Sequence, residues 1–253
     1  MSLITMVGDC TTTTCLALAA TWVDDVVVLE ADRSGGSLTA WLDTPATPSL
    51  STIVSSSPVT RSTIDSMTQR SSSGIHFIAS PIRARAATSA INEASTVVFP
   101  DLATSAHPVV LADVGRHVAS DRPPAILGQA NLTVICHRQE SASASAETAR
   151  LDRLVEIIES LDPLGVPLTL VIIGDDPFDP DEIAGLARDA SSSSLVGEYF
   201  LPDDPLAAAV LAGRSGVSER RLRRLPLMRN ASNVAAKLRS AVNGSDVGSL
   251  QAR

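Results

Sequence analysis

A run of four threonines near the start of the chain has the composition of a phosphate-binding helix start. The apolar segment Leu3–Val7 is predicted to be a strand, and Gly8, Asp9 and Cys10 form a tight loop before Thr11–Thr14. Backbone N–H groups at a helix N-terminus bind phosphate, and a threonine hydroxyl there can reach a magnesium ion. Threonine is also a common helix N-cap. The run alone leaves both interpretations open, a phosphate site and a simple cap.

Acidic residues end two further apolar segments. Val26–Ala31 is followed by Asp32, and the segment that begins at Val109 ends at Asp113. If these segments are parallel strands, their carboxyl ends meet at one edge of the sheet, beside the threonine run. Acids at such strand ends are often caps of the helix or turn that follows.

The elements that would position these residues alternate along the chain. Seven apolar runs, continuous as in strands buried on both faces, predict strands at Leu3–Val7, Val26–Ala31, Ile75–Ala79, Val109–Asp113, Leu132–His137, Leu168–Ile173 and Tyr199–Leu201. Helices are predicted at Thr12–Thr21, Ile82–Ser95, Glu147–Leu161, Pro180–Ala190, Pro205–Ala212 and Leu227–Val242. The alternation predicts an α/β fold, doubly wound, with a mostly parallel sheet flanked by helices.

The domain organisation follows from the same alternation. We expect one domain over residues 1–242 and a flexible tail over residues 243–253. The Ser- and Thr-rich stretch from Thr44 to Ser73 is expected to be a loop-rich excursion with one or two short helices at the sheet's edge. A phosphorylated or partner-binding segment is the alternative for that stretch.

The composition excludes several classes of protein. Of 253 residues, 44% are hydrophobic and 3% are aromatic, and the net charge is −8. So few aromatic residues argue against an RNA-stacking module, and the negative charge gives no overall attraction to nucleic acid or an anionic membrane. Three cysteines form no disulfide framework, so we expect a cytoplasmic protein. The basic residues are 19 arginines and one lysine, Lys237.

In this setting the loop resembles the phosphate-binding loop of the MinD/ParA family of P-loop ATPases. The family pattern is Lys-Gly-Gly-x-Gly-Lys-Thr-Thr-Thr, followed by a helix of small residues and leucines. Its two lysines fall on Met6 and Thr11 of this chain, and two of its three glycines fall on Val7 and Cys10. The resemblance implies that phosphate would be bound by Gly8, Asp9, Cys10, Thr11, Thr12 and Thr13.

Two later segments also resemble motifs of this family. Glu30–Gly36 resembles the acidic motif after the second strand; its first residue is expected to bond to loop backbone, and Asp32 falls on the catalytic acid near the attacking water. The strand that ends at Asp113 resembles the Walker B strand, which implies a Mg²⁺ site made by Thr12 and Asp113. The resemblance extends over about residues 1–242 and is greatest to an actinobacterial branch whose loop lacks lysine.

The missing lysines decide the functional interpretation. In a P-loop ATPase they offset phosphate charge, and one such group is worth about 2.7–4 kcal/mol in rate. Met6 and Thr11 carry no charge, and Asp9 adds a negative one. We therefore expect a pseudo-ATPase with weak or absent hydrolysis, acting as a regulatory or scaffolding partner in a cell-division, pilus, secretion or partition assembly. It would bind ATP or ADP with Mg²⁺, or no nucleotide, and work with a protein partner or as a homodimer.

Two other functions stay open. One is an active ATP-dependent switch in which Arg33 or Arg116, each directly after a motif acid, replaces lysine. The other is a DNA-associated partition factor with a basic patch made of Arg220, Arg221, Arg223 and Arg224. A membrane or protein partner is a further use of this patch, with a peripheral place at the membrane. The simplest alternative is a solvated helix start that pairs with the acidic residues of the segment 175–204, and the net charge does not favour DNA or membrane.

Overall fold

The fold is built on a sheet with parallel strands at its centre. The computed structural model describes residues 2–56, 61–104, 108–117, 122–140, 143–192 and 194–250, except the side chains of residues 61, 101, 103, 104 and 243–250. The strands are β1 (Leu3–Gly8), β2 (Val26–Glu30), β3 (Gln69–Arg70), β4 (His76–Ile78), β5 (Val109–Gly115), β6 (Leu132–Arg138), β7 (Leu168–Ile173) and β8 (Leu195–Leu201). Their order in the sheet is β3-β4-β2-β5-β1-β6-β7-β8, and β3 pairs with β4 in the antiparallel direction.

Helices follow the strands on both faces of this sheet. They are α1 (Thr11–Thr21), α2 (Leu38–Trp41), α3 (Leu50–Val54), α4 (Arg61–Met67), α5 (Ala84–Val97), α6 (Phe99–Thr104), α7 (Ala125–Gly128), α8 (Ala144–Leu161), α9 (Pro180–Ala190), α10 (Pro205–Leu211), α11 (Glu219–Leu222) and α12 (Pro226–Leu250). A single 3₁₀ turn, Asp162–Leu164, follows α8. Within the described part of the chain, no helix is long and apolar enough to cross a membrane.

The core has two layers, one on each side of the sheet. Successive residues of a strand point to opposite faces, so in β1 Leu3 and Val7 pack into one layer while Ile4 and Met6 pack into the other. The first layer is closed mainly by α3, α5, α8 and α9, and the second by α1, α10 and α12. The central strand β1 is therefore covered on both faces, which fixes the loop that follows it.

The observed elements confirm the predicted fold class. Each predicted strand is present, and β8 begins at Leu195 instead of Tyr199. The two-residue strand β3 was not predicted, because a strand so short has no periodicity of its own. The stretch 44–73 contains α3, α4 and β3 at the sheet's edge, with residues 57–60 outside the described part. Helix α12 continues to Leu250, into the segment expected to be a tail, and residues 251–253 lie outside the described residues.

Candidate functional site

The loop after β1 is a tight turn that needs unusual backbone angles. Gly8 has φ +109°, and a Cβ atom there would overlap the carbonyl oxygen of Cys136 on the neighbouring strand β6. The Asp9 N–H donates to that same carbonyl at 2.8 Å. Cys10 has φ +55°, the left-handed region that favours glycine. The loop thus keeps a glycine-like conformation at a position where the sequence has cysteine.

The threonine run forms the first turn of α1 and does not act as its cap. The N-cap residue is Cys10, whose side chain makes no capping hydrogen bond, and the first helical bond runs from Thr14 N–H to the Cys10 carbonyl at 3.0 Å. The N–H groups of Thr11, Thr12 and Thr13 therefore have no partner inside the helix. These three residues line an open cavity of about 790 Å³. Since the helix dipole is positive at this end, the cavity suits an anion.

A buried carboxylate lies directly behind this helix start. Thr12 Oγ1 donates to Asp113 Oδ2 at 2.5 Å, and the Gly115 N–H donates to Asp113 Oδ1 at 3.1 Å. Burial raises the pKa of Asp113; hydrogen bonds from Thr11 and Thr12 lower it, and the charge of Asp32 raises it further. The predicted Mg²⁺ pair, Thr12 and Asp113, is thus brought together.

Asp32 lies beside Asp113, at the end of the neighbouring strand. Its Oδ1 accepts from the Ser34 N–H at 2.7 Å, a local turn bond of the kind that the capping alternative predicts. Asp32 also lines the cavity at the start of α1 and packs against Gly115, where a Cβ atom would overlap its carboxylate. The Asp32 carboxylate thus stabilises the turn after β2 and also lines the cavity at the start of α1.

Glu30 fixes the loop that carries Asp32. Its buried carboxylate accepts three backbone N–H bonds, from Ser37 at 2.5 Å, Leu38 at 2.9 Å and Ser80 at 2.9 Å. Burial raises the pKa of Glu30, and these N–H groups act in the opposite direction. The expectation that Glu30 bonds to loop backbone is confirmed.

The two positions where the resemblance places lysines hold buried, uncharged side chains. Met6 is fully buried, and its Sδ lies 3.2 Å from the Cys15 Sγ beneath α1. Thr11 is also buried, and its short side chain beside Asp113 lowers the pKa of that carboxyl. Lys237 lies on α12, with its Nζ 5.1 Å from the centre of the Tyr199 ring. No lysine is therefore available to this cavity.

Comparison with solved structures identifies the fold. No protein-family model and no curated protein matches the chain. The ParA family ATPase from Chlorobium tepidum TLS matches with a TM-score of 0.66 and 14% identity, over 93% of this chain and 97% of that one. The MinC:MinD cell division complex of Aquifex aeolicus matches with a TM-score of 0.64 and 12% identity, over 95% and 96%. The Cyanothece McdA–ATP complex matches with a TM-score of 0.59 and 14% identity, over 94% and 95%.

The chain has the fold of the ParA and MinD ATPases. The match extends along nearly the whole chain. The loop after β1, Asp32 after β2 and Asp113 in β5 lie at the carboxyl ends of neighbouring parallel strands and so share one edge of the sheet, as the sequence analysis predicted for parallel strands.

The charge at the loop after β1 has a partner that the sequence analysis did not foresee. Asp9 was expected to add a negative charge, and its Oδ2 lies 2.6 Å from Nη2 of Arg150 on α8. The two residues are 141 positions apart, so no local pattern signals their contact. Arg33 and Arg116 line the same cavity as the threonines. Arg150, which sequence reasoning did not foresee, therefore reaches the loop through Asp9 and not through this cavity.

A second cavity adjoins the first at the loop after β1. It has a volume of about 300 Å³ and shares Cys10 and Thr13 with the cavity at the start of α1. Trp41 and Pro202 form part of its wall, and the guanidinium of Arg214 stacks 5.2 Å above the Trp41 ring. A planar ligand group next to bound phosphate would find an apolar wall here.

The donor set suits a cation that keeps much of its water. Among the described residues, no three or more His, Cys, Asp or Glu side chains cluster as metal ligands, and the three cysteines are free. Magnesium is commonly held by one or two protein groups together with phosphate oxygens and waters. Thr12 and Asp113 fit that requirement. They do not supply the four nitrogen or sulfur ligands of a closed zinc site.

The basic patch lies apart from this site. Arg220 and Arg221 belong to α11, while Arg223 and Arg224 follow it, and all four are exposed. The contact of Arg223 is with Glu219 at 2.6 Å, not with the acidic segment 175–204. Arg223 lines a groove at the C-terminal end of α1, up to about 15 Å along the helix from the threonines. The patch therefore belongs to another surface of the molecule.

Proposed function

We propose that this protein is a nucleotide-binding pseudo-ATPase of the ParA/MinD fold. Its hydrolysis would be weak or absent, and it would serve as a regulatory or scaffolding partner in a cell-division, pilus, secretion or partition assembly. One observation carries this proposal: the lysine positions of the loop are taken by Met6, which is fully buried, and Thr11, which is buried and uncharged, while Thr12 and Asp113, the proposed Mg²⁺ pair, are in contact. The groups that would bind phosphate and Mg²⁺ are therefore present, whereas the lysine charges that speed hydrolysis are absent from the loop.

Each part of the site has a defined task in this proposal. The N–H groups of Thr11–Thr13 would hold phosphate oxygens at the positive end of α1. Thr12 and Asp113 would hold Mg²⁺, which neutralises phosphate charge when it is bound. Asp32, placed by Glu30 and Gly115, would orient water at low efficiency. Without a cation on the loop, the charge that develops during phosphoryl transfer stays poorly offset.

The assembly role is proposed by analogy with proteins of the same fold. One of the solved relatives is MinD in complex with MinC, and another is McdA in complex with ATP. We propose a cytoplasmic protein that works through a protein partner or as a homodimer. Its basic patch and its last helix leave a peripheral place at the membrane as a secondary option, whereas the acidic net charge disfavours DNA.

The proposal is tested by calorimetric titration of the full chain with ATP and ADP, with and without Mg²⁺, together with a phosphate-release assay. We expect Mg²⁺-dependent ATP binding that is lost in Thr12→Ala and in Asp113→Ala, and phosphate release close to background. Rapid, Mg²⁺-dependent release by the wild type would overturn the pseudo-ATPase. Absence of ATP binding in the wild type would overturn the nucleotide site.

Restoring the lysine gives a sharper version of the same test. Thr11→Lys returns a cation to the loop, and a charge-assisted hydrogen bond to phosphate is worth about 1.5–3 kcal/mol, or roughly 10- to 100-fold in affinity. Ser232→Lys, at an exposed position of α12, adds the same charge away from the site. An equal effect of both variants would show that only net charge matters.

The active-switch alternative is favoured by one observation. Arg33 and Arg116 line the same cavity as the threonines, so an arginine from another strand end can face the phosphates. This candidate predicts substantial phosphate release that falls at least tenfold in Arg33→Ala or Arg116→Ala and is unchanged in Arg85→Ala, an exposed arginine of α5.

A further inference from the structure

Arg150 brings a positive charge from α8 to the phosphate loop. Its Nη2 contacts Asp9 Oδ2 at 2.6 Å and donates to the carbonyl oxygen of Arg138 at 2.5 Å. The side chain is only 15% exposed and, with Gly8 and Asp9, lines a cavity of about 490 Å³ between β6 and α8. A largely buried cation therefore lies against the loop that has no lysine.

Arg150 contacts three carboxylates, more than its single charge requires. Nη1 lies 3.1 Å from Glu140 Oε1, and Nε lies 3.3 Å from Glu147 Oε2. Glu147 is fully buried and is also bonded to His137 Nε2 at 2.7 Å. Asp9, the carboxylate on the loop, is 29% exposed, so its side chain can turn towards water. If it did so, Arg150 would still be paired with Glu140 and Glu147.

The charge of Arg150 also reaches the start of α1. Burial raises the pKa of the Cys10 thiol, as do the charges of Asp9 and Asp203, while Arg138 and, most weakly, Arg150 lower it. Cys10 directly precedes the three threonines whose N–H groups face the cavity. In addition, Nε of Arg150 is buried and makes no hydrogen bond to any of the described residues, so its donors are not saturated.

We propose that Arg150 is the phosphate-binding cation of this site, and that Asp9 occupies it as an internal anion until a ligand phosphate takes its place. This inference rests on the proposed nucleotide function and names the cation that the loop lacks. Glu140 and Glu147 keep the guanidinium paired during the exchange, so no isolated buried charge is left at any stage. Guanidinium also matches two phosphate oxygens at once, which favours polyphosphates such as the tail of a nucleoside triphosphate.

The test removes the charge of Asp9 and leaves Arg150 in place. Full-length Asp9→Asn is titrated with ATP and Mg²⁺ and, separately, with inorganic tripolyphosphate. We expect both affinities to rise by about tenfold, because the competing internal anion is gone. In Asp9→Asn/Arg150→Lys the charge remains but the planar fork is lost, and we expect most of that gain to disappear. Thermal melting of each variant checks that the fold persists.

Two matched variants separate Arg150 from general electrostatics. Glu140→Gln removes another carboxylate from Arg150 with the same change of net charge, and Asp203→Asn frees Arg138, which lies 2.7 Å from Asp203. No gain in Asp9→Asn, or an equal gain in Glu140→Gln, would overturn the proposal. An equal gain in Asp203→Asn would assign phosphate binding to Arg138 and overturn it as well.

Failure of the nucleotide function has a different signature. If Thr12→Ala leaves the affinity for ATP and Mg²⁺ unchanged, the proposed nucleotide site is wrong. A gain for tripolyphosphate in Asp9→Asn would then still assign an anion site to Arg150. Conversely, Thr12-dependent ATP binding without any gain in Asp9→Asn would overturn the role of Arg150 alone.

Discussion

The sulfur atom of Met6 lies 3.2 Å from the thiol of Cys15, on the inner face of α1. The side chain at the position where the resemblance places the first lysine therefore points into the core and away from the cavity at the start of α1. Both residues belong to the apolar layer that α1 closes over the sheet. This direction follows from the strand geometry of β1, because Met6 shares its face with Ile4.

A lysine in place of Met6 should destabilise the fold and should not supply a cation to the cavity. We expect Met6→Lys to lower the free energy of unfolding by about 3–5 kcal/mol, since an unpaired charge would be buried beneath α1. Met6→Leu, which keeps the volume, should cost less than about 1.5 kcal/mol. Urea denaturation measures both. A Met6→Lys variant as stable as the wild type would mean that this position has access to solvent.

Asp113 should reduce the stability of the protein at neutral pH. Its pKa is raised above the ordinary 3.8, mainly by burial, so the folded state binds the proton more tightly than the unfolded state. The free energy of unfolding therefore falls as the pH rises from about 3.8 through the raised pKa of Asp113. Above that pKa the folded state bears the full cost of burying the ionised carboxylate. We expect Asp113→Asn to melt at a higher temperature than the wild type at pH 7 and to lose Mg²⁺-dependent binding.

Replacing Glu30 by its amide should destabilise the protein, unlike the same replacement at Asp113, although burial raises the pKa of both carboxyls. Three N–H groups need acceptors on this carboxylate, and the amide of a glutamine would present a donor to at least one of them. We expect Glu30→Gln to cost about 1–3 kcal/mol and to loosen the loop that carries Asp32. Thermal melting of Glu30→Gln beside Asp113→Asn at pH 7 makes the comparison. Stabilisation by both changes would contradict the bonding described for Glu30.

Gly115 should matter through its contact with Asp32. Its φ of +73° strains any substitution, and an added Cβ would overlap the Asp32 carboxylate. Gly165 has φ +68° but open space around its Cα, so Gly165→Ala carries a similar backbone strain without the overlap. We expect Gly115→Ala to lose more stability than Gly165→Ala and to weaken ATP and Mg²⁺ binding, which Gly165→Ala leaves intact. Equal effects of the two variants would mean that the contact with Asp32 has no role.

The basic patch should not make the protein a DNA-binding factor. Its four arginines lie on a surface apart from the site, and the chain carries a net charge of −8. At 150 mM salt we expect no measurable binding to duplex DNA, with or without ATP. Binding that falls steeply with salt and disappears when Arg220, Arg221, Arg223 and Arg224 are changed to alanine would instead support the partition-factor alternative.

Much of the fold could be predicted because local patterns specify it. Continuous apolar runs locate β1, β5, β6 and β7, and the 3.6-residue periodicity locates α8. The elements that escaped are the shortest, β3, α2 and α7 among them, since two to four residues have no measurable period. Contacts with neighbouring segments fix these elements.

The sequence by itself determined which polar groups meet at the edge of the sheet. Thr12, Asp32 and Asp113 follow or end strands that are buried and parallel, and the carboxyl ends of such strands converge whatever the details of packing. The missing lysines were likewise visible as residue types. Only the tertiary structure decided the charge balance of the loop. The direction of Met6 and the pairing of Asp9 with Arg150 depend on distances in space between residues far apart in the chain, and electrostatic energy follows those distances.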